Sequence, residues 1–533
     1  MINKDKDKDK KKSNNNTNHK DTKKKEDKKP IIYVQRLSEG EHLAEAIIVG
    51  GIPAFIVRNK DAIYTTDEID LEDKMVKPFS ALAYLNKPYS FKIGEVEQVI
   101  ERAKTETLDT LYRIVKSIWK KYVDADDFHI SICAADTIFT YLQDKLGLVH
   151  YLFFVGGGTS GKSNRLKVIN LLAYRNMMSS DMTPANIYQF LGFREEGIGT
   201  ICEDEADDLD LNPEKMKIYK NGYTTGQPVL RMDNDNSGRM QYRFFTFGFK
   251  AFSAEKLPDS VKARGFLQRV IDLPCIYGFP HYDIMEVTNP AGAEEFSDLL
   301  YELEKTRNLL LVYRMIHFYD KIPNIKLNII NRENQLFKPV LRVFQKTESM
   351  KELLPIISEY INKKRAANAN SLHAYIYKVI THVTHNEGSY EIETKKIWEK
   401  VIDPDECPGS SIPHKPLSYQ SADYGEISRK GVTEICKDVF SAVPPRRHGS
   451  SSRLIFDQKK LEQLMHFYNS SLTVKVKENG EDGEDGEDNR NVGLDKHLTN
   501  SNITKGNLNM NDTSAHTQEP SQPTQPTQKG VRP

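Results

Sequence analysis

The chain has 533 residues, with 75 basic and 75 acidic side chains and a formal net charge of zero, so the whole molecule carries no polyanion-binding signature. It is 38% hydrophobic and 28% charged, which suits a globular chain of roughly two to four domains. Five scattered cysteines without CxxC spacing argue against a zinc site or a disulfide framework and suit a reducing compartment.

The N-terminus is polar and the longest apolar stretch, near Tyr151–Val155, is short, so the expectation is a cytoplasmic protein with no membrane partner. Residues 1–30 form a Lys-rich tail mixed with Asp and Asn. It lacks apolar periodicity and is expected to be disordered, as a solvated tail or a nucleic-acid-binding arm. Residues 31–94 alternate apolar and polar positions around Gly50-Gly51 and predict a small β-rich module. The spacing then becomes helical, with Val96, Val99 and Ile100, then Leu108, Leu111, Tyr112 and Val115. A further helix runs through Ala134–Leu142.

Strand and helix signals alternate over residues 148–275. Strands are predicted at Leu148–Val155, Met177–Ser180, Ile198–Glu203, Phe244–Ser253 and Arg269–Leu273, with helices at Lys162–Tyr174, Ala185–Phe190 and part of 213–220. That order predicts an α/β core with a five-stranded parallel sheet, covered on both faces. Together with its leading helices the core spans 95–280, followed by a helical lid or linker at 281–386 and a small α/β module at 387–470. Residues 471–533, with ENGEDGEDGED at 478–488, are expected to be a disordered tail.

Gly156-Gly157-Gly158-Thr159-Ser160-Gly161-Lys162-Ser163 matches G-x4-G-K-[ST] between a predicted strand and a predicted helix. Glycines let successive N–H groups curl around phosphate oxygens, Lys162 reaches the outer phosphates, and the Ser163 hydroxyl holds Mg2+. Ile198–Glu203 leads into Asp204 and Glu205, a metal-holding acid beside an acid that polarises water. These features point to an additional-strand P-loop NTPase using ATP and Mg2+. Glu203 departs from the pattern, because that strand position is usually apolar. Ser253 ends the fourth predicted strand and is a candidate γ-phosphate sensor. Arg264 and Arg269 are candidates for an arginine that reaches a neighbouring subunit's nucleotide, Arg269 being preferred because it abuts the fifth strand. Asp204-Glu205-Ala206-Asp207 also spells the tetrapeptide of the DEAD-box RNA helicases, but nothing after 280 resembles their second RecA-like domain.

Several segments in order resemble the ATPases of helicase/primase-type replication proteins of phages, plasmids and integrated elements, which are similar to AAA+ and superfamily 3 helicases. The segments are AADTIFTYLQD, GGGTSGKS, TPANIYQFL, CEDEAD, NGYTTGQPVLRM, LPDSVKARGFLQRVIDLP and NRENQLFKPVLRVF, over roughly 130–345. The resemblance implies a homo-oligomer such as a hexameric ring, motor action on single-stranded or forked DNA, and a possible primase partner. Residues 228–244 read as a hairpin inserted before the sensor strand, and in the resembled helicases such an insertion contacts DNA. Arg231, Arg239 and Arg243 are the candidate contacts here.

Ile392–Val401 and Glu426–Phe440 predict two helices, the second capped by Ser428, followed by the basic loop Pro444–Arg453 and the strand Leu454-Ile455-Phe456. This is a winged-helix pattern, with Arg429, Lys430 and Lys437 on the helix and Arg446, Arg447 and Arg453 on the wing as candidate DNA contacts. The leading expectation is an ATP-driven DNA translocase or helicase. The alternatives are an ATP-switched DNA-binding regulator and a primase-associated ATPase without unwinding activity.

Overall fold

The computed structural model describes residues 29–40, 42–79, 87–192, 197–235, 238–259, 262–329, 331–369, 371–402, 418–421, 425–445, 453–469 and 472–477. Of the tails expected at 1–30 and 471–533, residues 1–28, 471 and 478–533 lie outside the described residues.

Near the N-terminus, His42–Val49 and Ile52–Arg58 form an antiparallel hairpin in which Val49 pairs with Ile52. The two connecting residues, Gly50 and Gly51, have φ of 57° and 87°. That left-handed pair matches the twist of the flanking strands and costs glycine nothing. Arg36–Glu39, Ile63–Thr66 and Tyr89–Phe91 complete a five-stranded sheet, and Ile31–Val34, Met75–Pro78 and Ile69–Asp70 form a second one.

Helices Glu95–Thr105, Leu108–Tyr122 and Asp127–Thr140 follow. Leu108–Tyr122 buries Leu111, Val115, Ile118 and Trp119 on one stripe, and Thr107 caps it by accepting from the Thr110 N–H. Asp127–Thr140 is capped by Asp126 and buried all round from Ile130 onward, as an apolar helix must be.

The central sheet has strands β1 (Tyr151–Val155), β2 (Asn176–Ser179), β3 (Thr200–Glu203), β4 (Lys250–Ala254) and β5 (Val270–Pro274), in the order β2-β3-β4-β1-β5. Every neighbouring pair is parallel. The extra strand β4 thus lies between the P-loop strand β1 and the acid strand β3, which is the additional-strand arrangement. Four of the five β1 residues, YLFFV, are buried, because helices cover both faces and leave no polar side to alternate with. Phe153 stacks on Phe252 at 5.7 Å between centroids, and Phe252 meets Phe266 edge-on at 5.3 Å. Helices α1 (Lys162–Leu172), α2 (Pro184–Leu191) and α3 (Pro213–Asn221) connect the strands. Proline at the first helical position marks α2 and α3, capped by Thr183 and Asn212.

Five boundaries are corrected. The fourth strand begins at Lys250, because Phe244 belongs to the inserted hairpin and pairs with Val229. The C-terminal unit begins before 387: Leu372–Glu387 contributes Ile376, Tyr377, Val379 and Ile380 to the same core as Trp398, Val432 and Cys436. Its next helix is Thr394–Ile402, because Glu391–Glu393 is a strand paired with Arg453–Ile455, and the helix expected from Glu426 begins at Arg429, because Gly425–Ser428 is a strand and Ser428 is the cap. Residues 472–477, expected in the tail, are placed. Leu327 bridges Val476, and the Val474 N–H donates to Ser358 Oγ at 2.8 Å. The signal was the alternation Leu472, Val474, Val476, short but of strand period. No helix among the described residues is long and apolar enough to cross a membrane.

Candidate functional site

From β1 the chain turns through Gly156–Gly161 into α1. Thr159 and Gly161 have φ of 63° and 74°. A Cβ at Gly156 would lie 2.4 Å from the Cys275 carbonyl oxygen and 2.7 Å from Ser160 Oγ, so the approach of the segment after β5 demands glycine there. Nothing lies within 4 Å of where Cβ atoms at Gly157 and Gly158 would be. Helix α1 starts at Lys162 with no side-chain cap and no acid in its first turn. Its leading N–H groups therefore face the loop unsatisfied by a side chain, the electrostatic setting of an anion site. Lys162 Nζ folds back over the loop, 3.4 Å from the Gly157 carbonyl oxygen.

The strand order delivers the polar groups opposite. Asp204, just past β3, is held by its own N–H to the Ser179 carbonyl at 3.0 Å. Its Oδ1 accepts from Ser163 Oγ at 3.2 Å and also from Ser253 Oγ, on β4. One oxygen thus joins the P-loop helix, the acid strand and the additional strand. Glu205 is exposed beside it with φ 54°, an uncommon conformation for a residue with a Cβ, and its N–H bonds Asp204 Oδ1 at 3.1 Å. Asp207 Oδ1 accepts from the Glu255 N–H at 2.8 Å, tying the acid loop to the end of β4.

Glu203, the acid that interrupts the apolar strand pattern, has partners of its own. Lys215 Nζ lies 2.5 Å and Tyr219 OH 2.6 Å from its carboxylate, both from α3, and all three side chains are buried. Burial pushes the Glu203 pKa up, and the hydrogen bonds from Lys215 and Tyr219 oppose the rise. Its place is structural: it locks α3 onto the acid strand.

Sequence reasoning missed Arg165. This buried side chain donates to the Ser160 carbonyl at 3.0 Å and to the Asp124 carbonyl at 3.2 Å, pinning the P-loop to the loop before Asp127–Thr140. The available signal was a charge standing in the apolar stripe of Leu166, Val168, Ile169 and Leu172. Asn164 similarly donates to Asp283 Oδ1 at 3.2 Å. Beside the P-loop opens a cavity of about 340 Å3, with Ser160, Asn164 and Arg165 on one side and Tyr122, Tyr277 and Phe279 on the other.

The two candidate arginines differ. Arg269 lies over the Tyr223 ring at 4.0 Å from its centroid and donates to the Gly265 carbonyl. Burial opposes ionisation of Tyr223, but hydrogen bonds from Arg332 and Arg269 outweigh it and lower the phenol's pKa. Arg264, at the start of the short helix Arg264–Leu267, is exposed, and its side chain makes no hydrogen bond or ion pair among the described residues.

In the hairpin, Val229–Asp235 pairs antiparallel with Gly238–Phe244 in full register. Arg231 is engaged within the chain, ion-paired to Glu214 and lying 4.8 Å from the centroid of the Tyr188 ring. Arg243 is exposed, and the side chain of Arg239 lies outside what is described. In the C-terminal unit Lys430 and Lys437 are exposed, Arg429 donates to Thr394 Oγ1 at 3.1 Å, and Arg453 pairs across the strands with Glu391 and Glu393 at 3.5 and 3.2 Å. Arg446 and Arg447 lie outside the described residues.

No protein-family model matches the chain, and no curated protein matches it. Among solved structures it is similar to the apo NrS-1 C-terminal region, at 11% identity over 78% of this chain and 96% of that one, with a TM-score of 0.30. It is also similar to an inhibitor-bound JCV helicase, at 12% identity over 41% of this chain and 59% of that one, with a TM-score of 0.22. Likenesses this remote leave the site to be read from its own geometry.

Proposed function

We propose that the chain is an ATP-hydrolysing P-loop NTPase that works on DNA as a translocase or helicase in the replication of a mobile or viral-like element. The observation that carries the nucleotide site is the meeting of Ser163 and Ser253 on one oxygen of Asp204, with Glu205 exposed beside them. The donor set suits ATP with Mg2+: an uncapped helix N-terminus for the phosphates, and one hydroxyl with one carboxylate for a cation that takes its other ligands from phosphate and water. Bound there, the metal neutralises charge on the outer phosphates.

Lys162 places its ammonium against the outer phosphates. Ser253 bonds Asp204 and reports the γ-phosphate. Glu205 orients and polarises the attacking water. The cavity bounded by Tyr277 and Phe279 offers stacking surface for the base. Arg264, exposed and without an ion pair among the described residues, replaces Arg269 as the arginine that reaches a neighbouring subunit's nucleotide in a ring-like homo-oligomer.

For DNA, the hairpin with Arg243 exposed serves as the strand-engaging element. The C-terminal helices Leu372–Glu387, Thr394–Ile402 and Arg429–Asp438, with paired strands Glu391–Glu393 and Arg453–Ile455, support a winged-helix reading in which Lys430 and Lys437 meet phosphates. A strand-displacement assay on forked DNA tests the proposal. ATP-dependent strand release is expected. DNA binding with ATP turnover but no release selects the regulator or primase-associated ATPase instead.

A further inference from the structure

After Gly222 the chain stays bonded to the core through Tyr223, Thr224 and Thr225 against residues 147–149, forms the hairpin over Val229–Phe244, and returns through Thr246 and Gly248 into β4, whose first residue is Lys250. That side chain is fully buried. Its Nζ lies 2.8 Å from the Gly248 carbonyl oxygen, 3.0 Å from that of Thr246 and 3.3 Å from that of Gly222. One ammonium therefore holds the chain leaving α3 and the returning leg together, its three N–H donors shared among the three carbonyls and the more distant Tyr151 hydroxyl at 3.5 Å. Gly222 permits the approach: a Cβ there would meet the Thr246 carbonyl oxygen at 2.4 Å and Lys250 Nζ at 2.9 Å. The flanking rings are Tyr151 of β1 and Tyr219 of α3, at 4.9 and 5.9 Å from Nζ to the centroids.

From this point two short routes lead to the nucleotide site. Lys250 and Ser253 share β4, and Ser253 bonds Asp204. Tyr219, beside Lys250, bonds Glu203, the residue before Asp204. A buried charge in a ring of carbonyls is a costly device for packing alone, since an apolar side chain would fill the space without desolvating an ammonium.

We infer that Lys250 is a positioning residue that clasps the chain on both sides of the hairpin to β4, so that engagement of the hairpin is felt at Ser253 and Asp204. The inference rests on the proposed role of the hairpin in DNA engagement. Desolvation lowers the Lys250 pKa to about 7, and the groups facing it add no countercharge: both phenols are held neutral, their pKa values pushed well up by burial. Among the described residues no carboxylate hydrogen-bonds or ion-pairs with it. Above pH 7 the amine keeps two N–H donors for three carbonyls, and the clasp loosens.

Global stability moves the other way. The folded pKa is depressed below the ordinary 10.5, so the unfolded chain binds more protons between about 7 and 10.5, and this group raises stability as pH rises through that window. A loosening hairpin in a protein that is not losing stability is the signature of a clasp.

The test measures ATP turnover of the full chain with and without single-stranded DNA from pH 6 to 9, for wild type and Lys250→Met. The stimulated-to-basal ratio is expected to fall in the wild type with a midpoint near 7. In Lys250→Met it should be lower by roughly 2- to 30-fold and flat with pH, the range of coupling changes seen for intermediary residues. A wild-type ratio with wild-type pH dependence in the variant overturns the inference. So does a flat wild-type profile, which needs no variant to fold. Hydrogen exchange over 229–244, corrected for the chemical rate, separates this outcome from failure of the DNA reading. If DNA never stimulates turnover, the DNA role falls. The clasp still predicts hairpin protection that weakens from pH 6 to 9, and unchanged protection overturns it.

Discussion

Asp204 Oδ1, the oxygen shared by Ser163 and Ser253, sets the expectations at the scale of single residues. Lys162→Ala should abolish hydrolysis and weaken nucleotide binding, because it removes positive charge from the phosphate site. Glu205→Gln should retain nucleotide binding and lose turnover by roughly 100- to 10,000-fold, the usual contribution of a positioned acid or base. Parallel binding titrations and turnover assays check the pair, and equal, near-wild-type turnover in both would sink the assignment. Elsewhere, Arg314 is buried between Asp144 at 2.6 Å and Glu45 at 3.7 Å. Arg314→Leu removes one of the cations shared by these buried carboxylates, leaving them to Arg36 and, for Glu45, Arg175, and should destabilise the chain in denaturant unfolding by at most about 3–5 kcal/mol. Burial resists ionisation of Asp144, yet Arg314 and Arg36 hold its pKa below the ordinary 3.8. Its stabilising contribution is therefore present above that value and lost as pH falls through the lower folded value, an acid-side loss that an Asp144→Asn chain should lack.

Elements were legible where local chemistry is strong. The run Tyr151–Val155, the glycine pattern after it and the Gly50-Gly51 turn announce strand, loop and hairpin without tertiary help. Other features depend on distant partners. Glu203 looks like a fault in its strand until Lys215 and Tyr219 arrive from α3. Arg165 looks like a surface charge until its carbonyl partners at Ser160 and Asp124 are in place. The preference for Arg269 rested on its nearness to β5 in sequence, whereas the fold lays it on Tyr223. That placement gives the two arginines different signatures. Mixed subunits carrying Arg264→Ala and Lys162→Ala should recover hydrolysis that neither has alone. Arg269→Ala should instead lower stability by about 0.5–2 kcal/mol, because the guanidinium no longer covers the ring, with no complementation. Complementation by Arg269→Ala alone would reverse the assignment. Neutralising Lys430, Lys437, Arg446 and Arg447 should flatten the salt dependence of DNA binding by about 0.9 in log–log slope for each phosphate left without its cation.

In the molecule as a whole, one sheet connects the proposed hydrolysis site with the proposed DNA-engaging hairpin. Strand β4 starts at Lys250, under the hairpin root, and carries Ser253 to the acid site. The N-terminal module is fastened to the same body by Arg36, whose guanidinium lies 3.1 Å from Asp144, and by Glu45, 3.7 Å from Arg314. That attachment was invisible in the sequence, because nothing in the spacing of residues 36, 45, 144 and 314 links them. The central claim is that DNA engagement and hydrolysis at the Lys162–Asp204–Glu205 site are coupled. Steady-state ATP turnover of the full chain with and without single-stranded and forked DNA, at fixed low salt, tests it most directly. DNA is expected to raise wild-type turnover and to leave Glu205→Gln at its low residual rate in every arm. Turnover indifferent to both DNAs would contradict it.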